Sequence, residues 1–340
     1  MTVSKVGITT APRQATRRRT LLVGLTLLGT TAFPAISLAQ GSYPTRAIKI
    51  TVAYAPGGAN DMVARLVAQK LSEELGQSVV VENKSGAAGI VGTDAVARAE
   101  PDGYTLLLGA GGALTINPSL YPSLPYKPQT DFEPISQVAT SSLVVVVNPA
   151  LPVKNLKELI QYAAKRPQGL SYASPGTGTP LHLAAEMVKS ITGMNMVHVP
   201  YKGSGPALTD LMGGQVDLMI DVMGTALPHI RSGKLRPIGV TAKQREKALP
   251  DVPTLDEQGL KDFNVTVWYG LFAPAKTPAD IVQSLERAIV KIGAMPDVHE
   301  RLDTLALTPA AEGRAALTRQ VNEEIPRWAR IVKQSGVKVE

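Results

Sequence analysis

The feature that most constrains the fold of this 340-residue chain is a regular alternation of short apolar strand patterns and amphipathic helix patterns. The first strand pattern covers residues 48–54, and the helix pattern after it begins near Asn60 and stops at Gly76. Further strands are predicted at residues 79–81, 105–108, 143–147, 170–173, 196–199, 216–220, 237–240, 265–268 and 271–273. This order predicts an α/β fold with parallel-rich sheets and helices on both faces.

The last part of the chain is a block of three helix patterns, at residues 279–292, 298–305 and 315–334. We expect this block to cover the first sheet again, which requires the chain to cross twice between two domains, near residues 140 and 262. The sequence thus predicts domain I from residues 40–140 plus 262–340 and domain II from residues 141–261. A cleft is expected between the two domains.

Residues 1–39 are predicted to form a cleaved export signal. They contain five basic residues, no acidic residue and an apolar stretch that begins at Leu21. The small residues Ser37 and Ala39 stand where a signal peptidase recognises its substrate, which predicts cleavage before Gln40 and a location in the periplasm. Adjacent arginines in the basic region also fit a twin-arginine signal, so the Sec and twin-arginine routes both stay open.

The basic sequence pI gives no argument for nucleic-acid binding once this segment is set aside. Of the 35 basic residues, five lie in the segment, and the remainder nearly balance the 28 acidic ones. The chain also has no cysteine, which excludes disulfides, thiolate metal ligands and cysteine nucleophiles.

Four loops that follow predicted strands are rich in glycine and poor in bulky side chains. They are residues 55–61, 85–89, 109–112 and 174–180, which we name the first, second, third and fourth loops. Ligands of open parallel sheets lie beyond the carboxyl ends of the strands, where glycines admit a ligand to the backbone and helix N-termini attract anions. Because these loops contain no arginine, we expect backbone dipoles and hydroxyl groups to hold a compact anion.

The sequence shows no set of residues that would support catalysis or hold a cofactor. The fourth loop lacks the third glycine of a dinucleotide fingerprint, and residues 203–205 lack the spacing of a nucleophile elbow. His182 and Glu186 share a helix face, but no third ligand lies nearby in sequence, so we assign them, with His198 and His229, to structure. We therefore predict no enzyme activity, no metal and no cofactor.

Several motifs of the chain resemble those of one family of exported receptors. They are residues 54–61 (YAPGGAND), 81–89 (VENKSGAAG), 101–106 (PDGYTL), 172–179 (YASPGTGT), 198–203 (HVPYKG), 217–221 (DLMID) and 227–230 (LPHI). Together they are similar to the substrate-binding proteins of tripartite tricarboxylate transporters, the Bug family, over nearly the whole chain after residue 40. The resemblance implies a two-domain periplasmic binding protein of the type II-like, Venus flytrap kind. Such a protein closes about a hinge, takes up carboxylates and delivers them to a membrane transporter.

The candidate ligand-binding residues come from these loops and their neighbours: Tyr54, Ala55, Gly57, Gly58, Ala59, Asn60, Asp61, Ala88, Gly109, Ser174, Gly176, Thr177, Gly178, Thr179, Tyr201 and Asp221. Several have structural alternatives. Asp61 could complement the dipole of its helix, Thr179 could cap the next helix, and Asp221 could cap the turn that follows it. Tyr54 and Tyr201 could flank the ligand or pack at a domain edge.

The sequence leaves the cargo and its destination open. Ala88 stands where the family commonly has glycine, and Val222-Met223 follows Asp221 where the family often has asparagine. The methyl group of Ala88 narrows the pocket, and Val222-Met223 makes its wall more apolar, which leaves room for a ligand with an apolar or aromatic body. The expected ligand is a dicarboxylate, a tricarboxylate or an aromatic carboxylate. We expect a monomer that serves membrane transporter subunits and binds no nucleic acid. A partner of a membrane sensor kinase and an exported hydrolase of small acids are the alternatives.

Overall fold

The computed structural model describes residues 43–338, and the predicted export signal lies outside the described residues. The strands are β1 (Ile48–Val52), β2 (Val79–Asn83), β3 (Thr105–Ala110), β4 (Phe132–Val147), β5 (Leu170–Ser174), β6 (Met196–Pro200), β7 (Leu218–Val222), β8 (Arg236–Val240), β9 (Thr266–Pro274) and β10 (Thr308–Pro309). The helices are α1 (Ala59–Leu75), α2 (Ile90–Ala97), α3 (Asn117–Leu120), α4 (Leu156–Ala164), α5 (Pro180–Thr192), α6 (Ser204–Met212), α7 (Met223–Arg231), α8 (Ala279–Gly293), α9 (Pro296–Thr304) and α10 (Gly313–Ser335).

The strands are joined in the order β2-β1-β3-β9-β4-β7-β5-β6, and β8 and β10 also pair with β4. Parallel pairs form the two outer parts, where β1 pairs with β2 and β3, and β5 pairs with β6 and β7. Antiparallel pairs made by β4 and β9 connect these parts. The predicted α/β class is confirmed.

Strand β4 is longer than the sequence pattern predicts. Only its last five residues, 143–147, form an unbroken apolar run, whereas its first part contains Pro134 and several polar residues that hide the strand pattern. Pairing with β9 nevertheless extends from Phe132 to Ser142. Strand β9 is likewise one continuous strand where the sequence predicts two short runs.

Local sequence signals place the ends of several helices correctly. Gly76 ends α1 in the left-handed conformation, with φ 63°. Asn155 caps α4 as predicted, because the Glu158 backbone N–H donates to Asn155 Oδ1 at 2.9 Å. The side chain of Glu158 completes a variant of the capping box, since it accepts from the Lys154 N–H, one residue before the cap, at 2.7 Å. Among the helices of residues 43–338, none has the length and apolarity that a membrane crossing requires.

The strand pairing changes partners at two places in the chain. The first part of β4 pairs with β9 and β10, and residues 143–147 pair with β7 and β8. The second change falls between the end of β8 and the start of β9, where Val265 N–H donates to Thr241 O at 3.1 Å. The predicted division into domains near residues 140 and 262 stays a prediction.

Two helical glycines give a matched test of how closely α2 packs. A Cβ on Gly92 would lie 2.6 Å from Lys84 O and 2.7 Å from Ala53 Cα, whereas a Cβ on Gly205 would have no heavy atom within 4 Å. We expect Gly92→Ala to lower the free energy of unfolding by about 2 kcal/mol or more through overpacking. Gly205→Ala should raise it by about 0.5 kcal/mol, because alanine favours a helix. Urea unfolding of both variants measures the difference; equal stabilities would show that α2 moves freely away from β1.

Candidate functional site

The first, second and fourth loops lie at the carboxyl ends of β1, β2 and β5, where they lead into helices. The third loop begins later than the sequence predicts, because β3 continues through Gly109 to Ala110. A π-helical turn, Gly112–Ile116, follows it and is closed by the Asn117 N–H donating to Gly112 O. Gly109 itself is buried in the sheet, where a Cβ would lie 2.5 Å from the side chain of Leu114.

The first loop is exposed at Ala55, Gly57 and Gly58 and ends at the N-terminus of α1. Gly58 is the N-cap residue, with φ −83°. Because glycine has no side chain, the N-cap residue accepts no hydrogen bond from the first backbone amides of α1 through a side chain. Ala59 and Asn60 are half-buried, and Asn60 Oδ1 is buried with no hydrogen-bond partner among the described residues.

Asp61 is buried and its carboxylate is already bonded within the protein. Its Oδ2 accepts hydrogen bonds from the Gly57 N–H and from Arg65 Nε, both at 3.0 Å, and its Oδ1 accepts from Asn83 Nδ2 at 3.0 Å. Burial opposes the charge, but these hydrogen bonds outweigh it and lower the pKa of Asp61. In this structure Asp61 holds the first loop to α1 and β2.

The second loop reaches the π-helical turn through Ala88 and Gly89. Ala88 has a left-handed φ of 53°, and its carbonyl accepts from Asn117 Nδ2 at 3.1 Å. A Cβ on Gly89 would lie 3.1 Å from the Tyr54 hydroxyl, and one on Gly112 would lie 3.1 Å from the same oxygen. Burial raises the pKa of Tyr54 to about 12. Tyr54 therefore stands where the first loop, the second loop and the π-helical turn meet.

The fourth loop is tied down by its own hydroxyl groups. Thr179 caps α5, because its Oγ1 accepts from the His182 N–H at 3.3 Å, and it also donates to Gly176 O at 2.8 Å. Ser174 Oγ lies 2.6 Å from His198 Nε2 and 3.2 Å from the Gly176 amide nitrogen. Thr177 is half-buried. Pro180 at the first position of α5 lies near Gly112, where a Cβ would be 3.6 Å from Pro180 Cδ.

Three stacked aromatic rings contact the fourth loop, and no pattern in the sequence predicts this stack. The rings of His182 and His198 are parallel within 12° with centroids 3.8 Å apart, and Tyr172 stacks on His198 at 5.0 Å. The Gly178 N–H donates to His182 Nδ1 at 3.0 Å, so that nitrogen carries no proton. Tyr172 Oη donates to the buried carboxylate of Glu186. His198 contacts Ser174 and His182 accepts from Gly178, so the two histidines hold the fourth loop in place. Their assignment, with Glu186, to a structural role stays a prediction.

The histidine stack depends on both rings being neutral. Burial lowers the pKa of His182 to about 3, with further lowering from His198 and Lys189. Burial also lowers the pKa of His198, although Glu186 acts in the opposite direction.

Asp221 is the penultimate residue of β7, and 0 % of its surface is exposed. Its Oδ1 accepts from Ser204 Oγ at 2.7 Å, and its Oδ2 accepts from Thr225 Oγ1 at 2.6 Å. Burial raises the pKa of Asp221 to about 6, although these hydrogen bonds lower it. Burial also raises the pKa of Tyr269, with added effects from the nearby Asp221 and Tyr54.

Several of the predicted residues thus lie close together, but the polar groups of Asp61, Thr179 and Asp221 are bonded within the protein. Tyr54, Ala88, Gly112 and Pro180 connect the first, second and fourth loops to the π-helical turn. Tyr201 follows β6 and donates from Oη to Asp210 at 2.7 Å, while its backbone N–H donates to Ser174 O at 2.9 Å. Sequence reasoning missed Ser204, Thr225 and Tyr269. Thr225 lies only four residues after Asp221, so that contact was readable from local spacing, whereas Ser204 reaches Asp221 only through the packing of α6 against β7. Tyr269 comes from the distant strand β9.

The neutral histidine stack predicts that acid destabilises the protein. Because the pKa of folded His182 lies far below the ordinary 6.5, the unfolded chain takes up the proton first, and stability is lost as pH falls from above 6.5 towards about 3. One such histidine accounts for a loss of about 2 kcal/mol between pH 7 and pH 5. His182→Asn keeps an acceptor for the Gly178 N–H. Between pH 7 and pH 5 its free energy of unfolding should fall by about 2 kcal/mol less than that of the wild type, as measured by urea unfolding at both pH values.

The exposed His299 provides the control, since His299→Asn should follow the wild-type pH profile. Equal losses in the wild type and His182→Asn would contradict a buried neutral ring at position 182.

Comparison with known proteins agrees with this arrangement. Residues 63–337 match the family model described as the tripartite tricarboxylate transporter family receptor. The structure of the periplasmic binding protein BugD is similar with a TM-score of 0.79 and 40 % identity, covering 88 % of this chain and 100 % of BugD. A Rhodopseudomonas palustris protein solved with adipate has a TM-score of 0.82 and 35 % identity, covering 87 % of this chain and 99 % of its own.

A second structure from Rhodopseudomonas palustris, MatC with bound malate, has a TM-score of 0.77 and 35 % identity, covering 85 % of this chain and 100 % of MatC. The fold is therefore that of a two-domain periplasmic binding protein, as the motifs imply. The chain belongs to the tripartite tricarboxylate transporter receptor family, which includes the Bug proteins.

Proposed function

We propose that this protein is a periplasmic receptor that binds a small carboxylate at the first, second and fourth loops and delivers it to a membrane transporter of the tripartite tricarboxylate type. The observation that carries the proposal is the N-terminus of α1. This helix of 17 residues begins in an exposed glycine loop, and no side chain of its N-cap residue occupies its first amides. Such amides and the helix dipole bind an anion.

The proposed ligand is an organic acid because its relatives bind such acids. The Rhodopseudomonas palustris structures contain adipate and malate, which are both dicarboxylates. One backbone N–H bonded to a carboxylate contributes about 1.5–3 kcal/mol. Several such bonds to two carboxylates reach about −8 kcal/mol, which corresponds to a micromolar dissociation constant. Val222, half-buried at the end of β7, also suits a ligand with a longer apolar body, whereas Met223 is buried in the core.

The proposed location and mechanism follow from the family. The export signal is cleaved before Gln40, domains I and II close about the two chain crossings, and the liganded closed form is the one that the transporter recognises. The binding step needs no catalysis, so the bound acid leaves chemically unchanged. Loss of uptake of the bound acid on deletion of the protein tests the transport step, and recovery of intact ligand from the complex tests the absence of turnover.

Gly58 offers the sharpest test of the binding site. Its φ is −83°, and a Cβ there would meet nothing nearer than Ala55 O at 3.9 Å, so a side chain fits the backbone but fills the space above α1. We expect Gly58→Leu to stay folded, with a melting temperature lowered by only about 2–4 °C because leucine is a poorer N-cap residue than glycine, and to lose at least tenfold in affinity. Gln69→Leu, on the exposed face of the same helix, should bind normally.

Thermal shift and calorimetry of residues 40–340 against adipate, malate, citrate, glutamate and benzoate provide the measurement. A ligand present at 100 times its dissociation constant stabilises by about 2.7 kcal/mol. Absence of a shift with every acid would refute a carboxylate receptor. Normal binding by Gly58→Leu would place the site elsewhere. Gly178 is a poorer choice because its φ of 79° makes any substitution strained.

Asp221 should set the pH dependence of binding. Its raised pKa of about 6 means that the carboxyl group is charged at pH 8 and largely neutral at pH 5. A charged Asp221 at the proposed site repels a dicarboxylate, so we expect Asp221→Asn to bind adipate at least fivefold more tightly than the wild type at pH 8 and equally at pH 5.

Titration calorimetry at both pH values measures this effect, and the exposed Asp251 provides a control variant, Asp251→Asn, with the same change in charge. Weaker binding of adipate by Asp221→Asn at pH 8 would contradict repulsion and would show instead that the charged carboxylate holds the site in its binding geometry through Ser204 and Thr225.

A further inference from the structure

The π-helical turn Gly112–Ile116 lies against Tyr54 and against the second and fourth loops. A Cβ on Gly112 would lie 3.1 Å from the Tyr54 hydroxyl and 3.6 Å from Pro180 Cδ at the start of α5. Asn117, which closes the turn, donates to Ala88 O. A π-helical turn is an unusual backbone form that needs support from its surroundings.

The support lies on the opposite side of the turn, in the carboxylate of Glu324. This side chain projects from α10 and is only 6 % exposed. Its Oε2 accepts from Trp268 Nε1 at 2.8 Å, Thr115 Oγ1 at 2.9 Å and Trp328 Nε1 at 3.3 Å. Its Oε1 accepts from Gln320 Nε2 at 2.8 Å. Both tryptophans of the chain thus donate to one oxygen atom.

The contacts of Glu324 require a negative charge. Within residues 43–338 no basic side chain forms an ion pair with it, so four neutral donors compensate its burial. The two indole N–H groups can only donate, so Oε2 faces them as an acceptor that carries no proton.

Thr115 is the link between this carboxylate and the turn. Its single hydroxyl proton has two acceptors in reach, Glu324 Oε2 at 2.9 Å and its own backbone neighbour Gly111 O at 2.8 Å. A hydroxyl bonded only to the carbonyl four residues back is the ordinary helical arrangement. The charged acceptor attracts the proton more strongly and ties the turn to α10.

We propose that Glu324 is a positioning residue for the ligand site: through Thr115 it fixes the π-helical turn and so holds Tyr54 and Ala88 in the binding geometry. This inference rests on the proposed function for the location of the site. Loss of the carboxylate frees Thr115 to bond only to Gly111 O, and the segment from Gly111 to Asn117 loosens or rewinds. Asn117 then leaves Ala88 O, and Gly112 moves away from the Tyr54 hydroxyl.

The test compares Glu324→Gln and Thr115→Val with the wild type. Glu324→Gln keeps the side-chain shape but removes the charge, and Thr115→Val removes only the hydroxyl group. Glu323→Gln removes the same charge from the exposed neighbouring position and serves as the control. Amide hydrogen exchange followed by NMR measures the protection of Ala113 and Asn117, with the amides of β7 as an internal reference.

We expect the exchange of Ala113 and Asn117 to rise at least tenfold in both test variants, while β7 and the control stay unchanged. The two indole N–H signals should also shift in Glu324→Gln, which confirms that both tryptophans bond to the carboxylate. Unchanged protection of Ala113 and Asn117 in folded Thr115→Val or Glu324→Gln would overturn the proposal. Unmoved indole signals in Glu324→Gln would overturn it as well.

Affinity for adipate or malate, whichever binds the wild type more tightly, provides the functional measurement. We expect Thr115→Val to bind at least fivefold more weakly, and equal affinity would show that Glu324 serves stability alone. A wild-type protein that binds neither acid contradicts the proposed function, whereas the exchange measurement still decides whether Glu324 fixes the turn.

Discussion

Strand β4 is the constraint on which the rest of the structure depends. Its first part exchanges hydrogen bonds with β9 and β10, and its last five residues exchange them with β7 and β8. Those five residues are all almost fully buried, because strands cover both edges and helices cover the sheet. One continuous strand thus fixes the register of two groups of strands. The relative positions of the loops after β1 and β5 therefore depend on β4, which connects the two groups.

The local signals in the sequence were sufficient for most helices and for the loops. Gly76 and the Asn155–Glu158 capping box mark helix ends through contacts between residues close in sequence, and such contacts leave a readable pattern. The glycine-rich first and fourth loops are readable for the same reason. The first part of β4 is not, because its polar residues face neighbours supplied by β9 and α10, which the local pattern does not contain.

The polar contacts of the site were beyond sequence reasoning for a related cause. Ser174 and His198 meet only because β5 pairs with β6, and Ser204 reaches Asp221 only because α6 and β7 are neighbours in space.

Two buried titrating groups, Asp221 and His182, change the stability of the protein with pH in opposite directions. The raised pKa of Asp221 gives stability that is present below pH 3.8 and lost as pH rises through about 6, whereas neutral His182 gives stability that is lost as pH falls. Their effects partly cancel between about pH 4 and pH 6.

The bonding of Trp268 and Trp328 to one carboxylate has a consequence for the optical properties of the protein. These are the two tryptophans of the chain, so its indole fluorescence arises from a single neighbourhood, beside Glu324 and the π-helical turn. A carboxylate next to an indole ring alters its emission according to their separation and mutual orientation. Indole emission therefore reports the state of this one region. A rearrangement near β5 or β6 changes the emission only when the movement is transmitted to the π-helical turn.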